Sequence, residues 1–249
     1  MSVNRDALTA AELNRHSLKK AQFVGNPVMD NLNSTGKDLQ LIPGVRTIAL
    51  LPSSRFREAT NNLVLPLELV KEIATNSTAP IQFWAALVPA LMPQLENIVA
   101  RVRWQHRSGK LIFPAIKRSF SGHKLEQVEV SCSADAFADI LQHSSLVIGM
   151  TGTAVEQAVG LGKPVIAVPG NGPAITYRFA EAQNPLLGDS VQVIGTQQAN
   201  SDIIKEAALV VDRTLQDHKY LASGIKNGLE RMGRSGGSIK IANYVANYL

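Results

Sequence analysis

The chain has 249 residues, of which 45% are hydrophobic and 18% charged, a composition typical of a globular protein with a substantial apolar core. Only 5% of the residues are aromatic, so aliphatic side chains must fill that core. The single cysteine, Cys132, excludes an intramolecular disulfide and favours a reducing compartment. Residues 1–17 lack the apolar core of a secretory signal, and no uncharged apolar run approaches the ~18 residues of a transmembrane helix. We therefore expect a cytoplasmic protein.

The net charge of +5 is unevenly distributed along the chain. Residues 101–124 contain seven Lys or Arg and no Asp or Glu, with Trp104, Phe113 and Phe120 between them. We interpret this segment first as a solvated basic loop. The alternative is contact with an anionic membrane, peripheral to the inner membrane, because clustered cations attract anionic head groups. Nucleic acid is the least favoured partner, and we expect none.

The first 46 residues are predicted to be an N-terminal appendage and linker. Residues 1–20 have the pattern of one weak amphipathic helix, and residues 22–30 form a short apolar strand broken by Gly and Pro. Residues 31–46 are polar and rich in turn formers, without periodicity. The main domain is therefore predicted to cover residues 47–249.

That domain begins with a buried strand followed by a long helix. Residues 47–51 (TIALL) are an apolar run that Pro52 ends, and helical periodicity extends over residues 55–74. Pro66 predicts a kink or break near residue 62, because proline removes a backbone donor inside a helix. Either Ser53 or Ser54 is predicted to cap the helix.

The junction between this strand and helix is predicted to bind an anion. Small residues, free backbone N–H groups at a helix N-terminus and the full positive charge of Arg55 together suit a phosphate. Glu58 follows in the first turn. A helix cap beside a surface arginine is common, so this feature alone does not decide the function.

Strands and helices then alternate to the end of the chain. The predicted strands cover residues 81–88, 128–131, 146–150, 165–168 and 190–194, and the predicted helices cover residues 92–103, 134–143, 154–160, 174–183, 200–215, 219–232 and 238–249. This alternation predicts an α/β domain with a Rossmann-like parallel sheet and helices on both faces.

The most informative stretch is residues 146–171. It has the pattern of a strand, a turn at Thr151-Gly152-Thr153, a short helix with Glu156, a second strand and a loop with Gly170, Asn171 and Gly172. Both polar clusters then follow the carboxyl ends of parallel strands, where open α/β sheets bind their ligands.

The residue types in this stretch suit a nucleotide diphosphate and its ribose. Two threonine hydroxyls beside a glycine at a helix N-terminus can bind a diphosphate. Glu156, one turn further on, can accept hydrogen bonds from ribose hydroxyls, and the glycine loop allows close approach of a ligand. Helix capping and ordinary turns are the alternative roles. The chain contains no GxGxxG or GxxxxGK[ST], which disfavours dinucleotide and P-loop sites.

Three motifs occur in an order that resembles a known family. They are FVGNPVMD at residues 23–30, LLPSSR at residues 50–55 with Glu58, and TGTAVE at residues 151–156, and residues 232–238 (MGRSGGS) precede a last helix. Together they resemble the C-terminal, donor-binding half of lipid-A-disaccharide synthase (glycosyltransferase family 19-like) and other GT-B glycosyltransferases. The resemblance covers residues 20–249 and implies one half of a GT-B fold.

The resemblance implies transfer of a sugar from a UDP-sugar, of the UDP-N-acetylglucosamine type, to a lipid-linked sugar acceptor. It implies no cofactor and no metal. The implied contacts are as follows: Ser54 and Arg55, with Glu58 in the same motif, to diphosphate or sugar; Thr151, Gly152 and Thr153 to the diphosphate; Glu156 to the ribose; and Gly170, Asn171, Gly172 and Gln183 near the base or sugar.

Two departures from the family affect these expectations. Ser53 stands where the family usually has glycine. Most of the first GT-B domain is not in this sequence, and residues 1–46 are interpreted as a remnant of that domain. The acceptor site and the general base are expected in the same missing domain, so no catalytic residue is assigned. We therefore expect a half that is inactive alone and needs a separate N-terminal half-domain chain or a homodimer. The alternatives are a non-catalytic nucleotide-sugar-binding module, a remnant that binds nothing, or a protein like the sugar-nucleotide epimerases.

Overall fold

The computed structural model describes residues 2–16, 20–114, 127–149, 152–170 and 176–247, with the side chain of Gln183 excepted. The strands are β1 (Ser2–Val3), β2 (Ala21–Gln22), β3 (Arg46–Leu51), β4 (Ile81–Ala86), β5 (Gln105–Arg107), β6 (Lys110–Pro114), β7 (Gln127–Ser133), β8 (Leu146–Gly149), β9 (Val165–Ala167) and β10 (Val191–Val193). The helices are α1 (Ala7–His16), α2 (Phe56–Asn62), α3 (Val64–Asn76), α4 (Leu95–Ala100), α5 (Phe137–His143), α6 (Thr153–Gly160), α7 (Tyr177–Leu187), α8 (Ser201–Gln216), α9 (His218–Arg231) and α10 (Gly237–Ala246).

The main sheet confirms the predicted α/β architecture. Its strand order is β10-β9-β8-β3-β4-β7-β6-β5, and the first six strands of that order are parallel to one another. The chain runs outward from β3 in one direction through β4 and β7, then returns to place β8, β9 and β10 on the other side of β3. Between β3 and β8 the strand order therefore reverses.

The sheet is mixed, whereas the sequence predicted a parallel one. Strands β5 and β6 form an antiparallel hairpin that joins the edge beside β7, and both lie inside the basic segment that was interpreted as a loop. The hairpin turn consists of Ser108 and Gly109, whose φ angles are +50° and +75°. Two successive positive φ values match the right-handed twist of hairpin strands, which is why a Ser-Gly pair suffices to reverse the chain here.

Helices cover both faces of the sheet, as predicted. Alternate residues of β3 point to opposite sides: Ile48 and Leu50 belong to the core under α3, α4 and α8, while Ala49 and Leu51 belong to the core under α5 and α6. Both faces are apolar because a central parallel strand is buried on its two sides.

The predicted break in the first long helix is confirmed. It ends as α2 at Asn62 and resumes as α3 at Val64, with Pro66 in the first turn of α3, where the missing N–H costs least. The predicted helix over residues 92–103 is reduced to a 3₁₀ segment (Pro89–Gln94) and the short α4, because two prolines occupy its start.

Part of the predicted appendage packs on the core. Met29, Leu32 and Leu39 are buried in the core cluster that contains α5 and α6. Asp139, on α5, accepts hydrogen bonds from the backbone or hydroxyls of Ser34, Thr35 and Gly36. Segment 27–39 is thus attached to the main domain, while the boundary at residue 47 stays a prediction.

A membrane-crossing helix is not found in the described part of the chain, since none of its helices is both long and apolar enough.

Candidate functional site

A cleft of about 300 Å³ lies where the strand order reverses, at the carboxyl ends of β3, β4 and β8. Crevices at such reversal points are where open α/β sheets bind ligands, since the loops from neighbouring strands separate there. Five of the predicted site residues line this cleft, namely Ser54, Arg55, Glu58, Gly152 and Thr153.

On the β3 side, the cleft is bordered by a hydrogen-bonded network around Glu58. The Arg55 side chain donates to Glu58 Oε1 at 2.6 Å, and the Ser53 hydroxyl donates to Glu58 Oε2 at 3.1 Å. Ser53 Oγ also accepts from the Arg55 backbone N–H at 3.1 Å. Arg55 keeps 73% of its side chain exposed, so its guanidinium can still reach an incoming anion.

The predicted cap of α2 is wrong by one or two residues. Arg55 occupies the N-cap position, with extended backbone and no capping side chain, while Ser53 and Ser54 lie before it. The Ser53 hydroxyl bonds to the N-cap residue's own N–H rather than to a helical N–H. Ser53 thus stabilises the turn through its hydroxyl. The turn accommodates a serine at a position where the family that the sequence resembles usually has glycine.

On the β8 side, the cleft is bordered by the start of α6. Gly152 has φ = +96°, a conformation that glycine adopts without strain, and α6 begins at the next residue, Thr153. The predicted helix start is therefore confirmed to within one residue, and the predicted turn is described only from Gly152 onward. Because the first N–H groups of a helix lack internal partners, the start of α6 offers donors toward the cleft. Thr151 lies outside the described residues.

The third wall of the cleft is apolar and was not predicted. It consists of Leu87, Val88 and Pro89, which follow β4, and Phe137, the first residue of α5. These residues look like ordinary core or loop positions in the sequence. The pairing of β4 with β3 and of β7 with β4 brings them to the same cleft as Arg55.

Glu156 lies one turn further along α6 than Thr153, and it is not among the residues that line the cleft. Its Oε1 accepts a hydrogen bond of 2.9 Å from the guanidinium of Arg5, in the N-terminal segment. Positions i and i+3 of a helix are neighbours on its surface, so this ion pair is beside the cleft.

Of the remaining predicted residues, Gly170 lies away from this cleft. It lines a separate cleft of about 480 Å³, together with residues of α2, α3 and the loop after β10. Asn171 and Gly172 lie outside the described residues. Gln183 is in α7, and its side chain is not described.

The described part of the basic segment, residues 101–114, is folded against the domain. Trp104 is buried, and its ring lies 5.5 Å from that of Phe113, over which the Lys71 ammonium is placed at 4.7 Å. These two aromatic side chains therefore pack within the domain and are not displayed to solvent like those of a membrane-inserting loop. Phe120 and residues 115–126 lie outside the described residues.

Comparison with known proteins finds similarity in structure only. No protein-family model and no curated protein matches the sequence. The S. aureus MnaA–UDP co-structure matches with a TM-score of 0.57 and 14% identity, over 99% of this chain and 58% of that one. The Neisseria meningitidis UDP-GlcNAc 2-epimerase bound to UDP-GlcNAc matches with a TM-score of 0.55 and 13% identity, over 98% and 60% of the two chains.

A glycosyltransferase is equally similar. The glycotransferase of kitacinnamycin matches with a TM-score of 0.54 and 13% identity, over 98% of this chain and 54% of that one. At such low identity these likenesses establish the fold, which is that of a Rossmann-like GT-B half domain. The chain spans 54–60% of the length of these three structures.

Proposed function

We propose that this chain is a nucleotide-sugar-binding half domain that takes a UDP-sugar in the cleft between the β3–α2 and β8–α6 junctions. The observation that carries the proposal is the convergence of Ser54 and Arg55 with Gly152 and Thr153 at the reversal of the strand order. These residues are about 100 positions apart in sequence, and the fold places them around one cavity. Two similar structures, a complex with UDP and one with UDP-GlcNAc, support the ligand class.

The polarity of the cleft fits the two ends of a nucleotide. The diphosphate would lie between Arg55 and the N-terminus of α6, because an arginine fork and free backbone N–H groups both bind phosphate oxygens. The base would stack against the apolar wall near Phe137, and the ribose would extend toward Glu156. A base, a ribose and a diphosphate would then each meet a surface of matching chemistry.

Two reactions are compatible with such a domain. In glycosyl transfer, an acceptor hydroxyl attacks the anomeric carbon, the bond to the diphosphate oxygen breaks and UDP leaves with the electron pair. Arg55 and the α6 N-terminus would stabilise the charge that develops on that diphosphate. The resemblance favours this reaction, with a lipid-linked sugar as acceptor. A 2-epimerase of UDP-N-acetylglucosamine is the second candidate, since similar folds include such enzymes.

The general base and the acceptor site are expected outside this half domain. We propose that a separate N-terminal half-domain chain, or a second copy of this chain, completes the site. A non-catalytic nucleotide-sugar-binding module is the alternative.

Binding is tested by titrating the chain with UDP and with UDP-N-acetylglucosamine in a calorimeter. The Arg55→Ala and Glu156→Ala variants are each expected to weaken UDP binding by about tenfold or more, which is the effect of losing one charge-assisted hydrogen bond. Arg101→Ala, a change in the separate cleft of Gly170, serves as the matched loss of an arginine. Absence of UDP binding by the unaltered chain would refute the proposal, and equal affinity in Arg55→Ala and Arg101→Ala would refute the assignment of the cleft.

The two reactions are separated by their products. Incubation of UDP-N-acetylglucosamine with the chain alone, and then with a candidate N-terminal half, is followed by NMR for the 2-epimer and for free UDP with a glycosylated acceptor. Accumulation of the epimer favours the epimerase, whereas UDP release that depends on the acceptor favours the transferase.

The membrane contact of residues 101–124 remains a separate hypothesis, for a cytoplasmic protein peripheral to the inner membrane. It depends on the cations of that segment, since Trp104 and Phe113 pack inside the domain. Flotation with vesicles containing phosphatidylglycerol at low salt tests it, and loss of flotation in 0.5 M salt is expected from screening. If the vesicles do not retain the protein at low salt, the hypothesis of a membrane contact is refuted.

A further inference from the structure

The contact of Arg5 with Glu156 joins two parts of the chain that are 151 residues apart. Their side chains are 36% and 20% exposed, so the pair is partly shielded from water. In the described part of the chain, Arg5 is the one hydrogen-bonding partner of the Glu156 carboxylate. The predicted ribose-binding group is thus already held by a cation from the N-terminal segment.

The backbone on both sides of Arg5 is fixed. The Asn4 N–H donates to the Gln22 carbonyl at 2.8 Å, which extends the pairing of β1 with β2. On the other side, the buried Asp6 accepts from the N–H of Thr9 at 2.7 Å and from its hydroxyl at 3.0 Å, a typical cap of α1. A strand pairing and a helix cap therefore hold Arg5 in place, and its guanidinium is not that of a free chain end.

The geometry leaves the carboxylate able to bind a second partner. A carboxylate has about four lone-pair sites, and the Arg5 guanidinium occupies one of them, on Oε1. A ribose diol could therefore bind to Glu156 while Arg5 stays in place. The hydrogen bond from Arg5 restricts rotation about the three side-chain torsions of Glu156. Less conformational entropy of this side chain is therefore lost when a ligand binds.

We propose that Arg5 is a positioning residue of the nucleotide-sugar site, which orients the Glu156 carboxylate toward the ribose hydroxyls. This inference rests on the proposed function, since it assumes that Glu156 binds a ribose. It adds that Arg5 acts in recognition of the ribose and is more than a structural attachment.

The test compares UDP with 2′-deoxy-UDP, which lacks one of the hydroxyls that Glu156 would bind. Arg5→Ala is expected to weaken binding of UDP about fivefold or more and to weaken 2′-deoxy-UDP much less, so that discrimination between the two nucleotides falls. Arg15→Ala removes an equal charge from the same segment, where Arg15 pairs with Glu12, and is expected to bind both nucleotides like the unaltered chain.

A double-mutant cycle shows whether Arg5 acts through Glu156. In the Glu156→Ala background, Arg5→Ala is expected to have no additional effect on UDP binding, because the group that it positions is gone. Arg5→Lys keeps the charge but not the planar fork, so we expect it to retain the fold and lose part of the discrimination. This variant decides the question if Arg5→Ala does not fold, as judged by circular dichroism.

Several results would overturn the inference. Equal weakening of both nucleotides would indicate a general charge effect, unchanged binding in Arg5→Ala would indicate a structural ion pair, and tighter UDP binding would indicate a blocking contact. In all three cases the unaltered chain still binds UDP, so the proposed function survives. Failure of the unaltered chain to bind UDP would overturn both.

Discussion

Replacing Asp139 by Asn removes the charge that attaches segment 27–39 to the main domain. The carboxylate is fully buried and accepts from Ser34 Oγ at 2.5 Å, Thr35 N–H at 2.9 Å, Thr35 Oγ1 at 2.7 Å and Gly36 N–H at 3.0 Å. An asparagine can keep its oxygen at the Oδ1 position, which accepts three of these bonds, and then places its NH₂ group against the Thr35 hydroxyl. With ~1.5–3 kcal/mol for a hydrogen bond to a charged group and about half of that for a neutral one, the loss of one bond and the weakening of three should cost about 3 kcal/mol or more.

Urea unfolding followed by circular dichroism measures this cost. Asp135→Asn is the matched control, since Asp135 lies four residues earlier, pairs with Lys37 and has a side chain that is 72% exposed. We expect the control to leave the urea midpoint unchanged, because an exposed ion pair contributes little. Equal midpoints for Asp139→Asn and Asp135→Asn would refute the reasoning that segment 27–39 is held by a buried, charge-assisted network.

The same carboxylate predicts a dependence of stability on pH. Hydrogen bonds from the Ser34 and Thr35 hydroxyls, followed by the backbone N–H groups of Gly36 and Thr35, hold the pKa of Asp139 well below its ordinary value of 3.8, against the opposing effect of burial. A depressed folded-state pKa contributes stability that is present above the unfolded pKa and is lost as the pH falls. The free energy of unfolding should therefore decline below about pH 4, and less steeply in Asp139→Asn.

Three further predictions concern close packing, backbone conformation and reactivity. In Gly228→Ala, the new Cβ would lie 2.3 Å from the Val159 carbonyl oxygen of α6, so we expect a loss of about 2 kcal/mol or more in urea unfolding, while Ser223→Ala on the same helix should be nearly neutral. In Gly152→Ala, open space surrounds the new Cβ but φ is +96°, so a strain of about 1–2 kcal/mol should lower stability and weaken UDP binding together. Cys132, which is half-buried on β7, should react with Ellman's reagent more slowly in the native protein than in urea, because burial raises its pKa to about 12.

For each of these three predictions, one result would contradict the reasoning. Gly228→Ala matching the stability of Ser223→Ala would contradict the close contact of α9 with α6. Undiminished UDP binding in Gly152→Ala would show that the turn before α6 does not shape the cleft, and rapid modification of native Cys132 would show that its thiol is accessible.

The local elements that end at the cleft can be predicted from the sequence alone. An apolar run followed by Pro-Ser-Ser-Arg predicts the end of β3 and the start of a helix, and a Thr-Gly-Thr turn between an apolar run and a periodic segment predicts the junction of β8 and α6. These features depend on hydrophobic period, glycine and proline, all of which act within a few residues. Because such junctions occur at the carboxyl ends of parallel strands, their approach to one another could also be expected.

The surroundings of these junctions could not be predicted and depend on the folded chain. The sequence does not show that β4 lies between β3 and β7, which brings Val88 and Phe137 to the cleft, or that β5 and β6 turn back as an antiparallel edge and bury Trp104. The ion pair of Arg5 with Glu156 could not be predicted either, because two single charges far apart in the chain leave no periodic pattern in the sequence. Such contacts follow from the order in which strands join the sheet, and this order depends on the packing of the whole core.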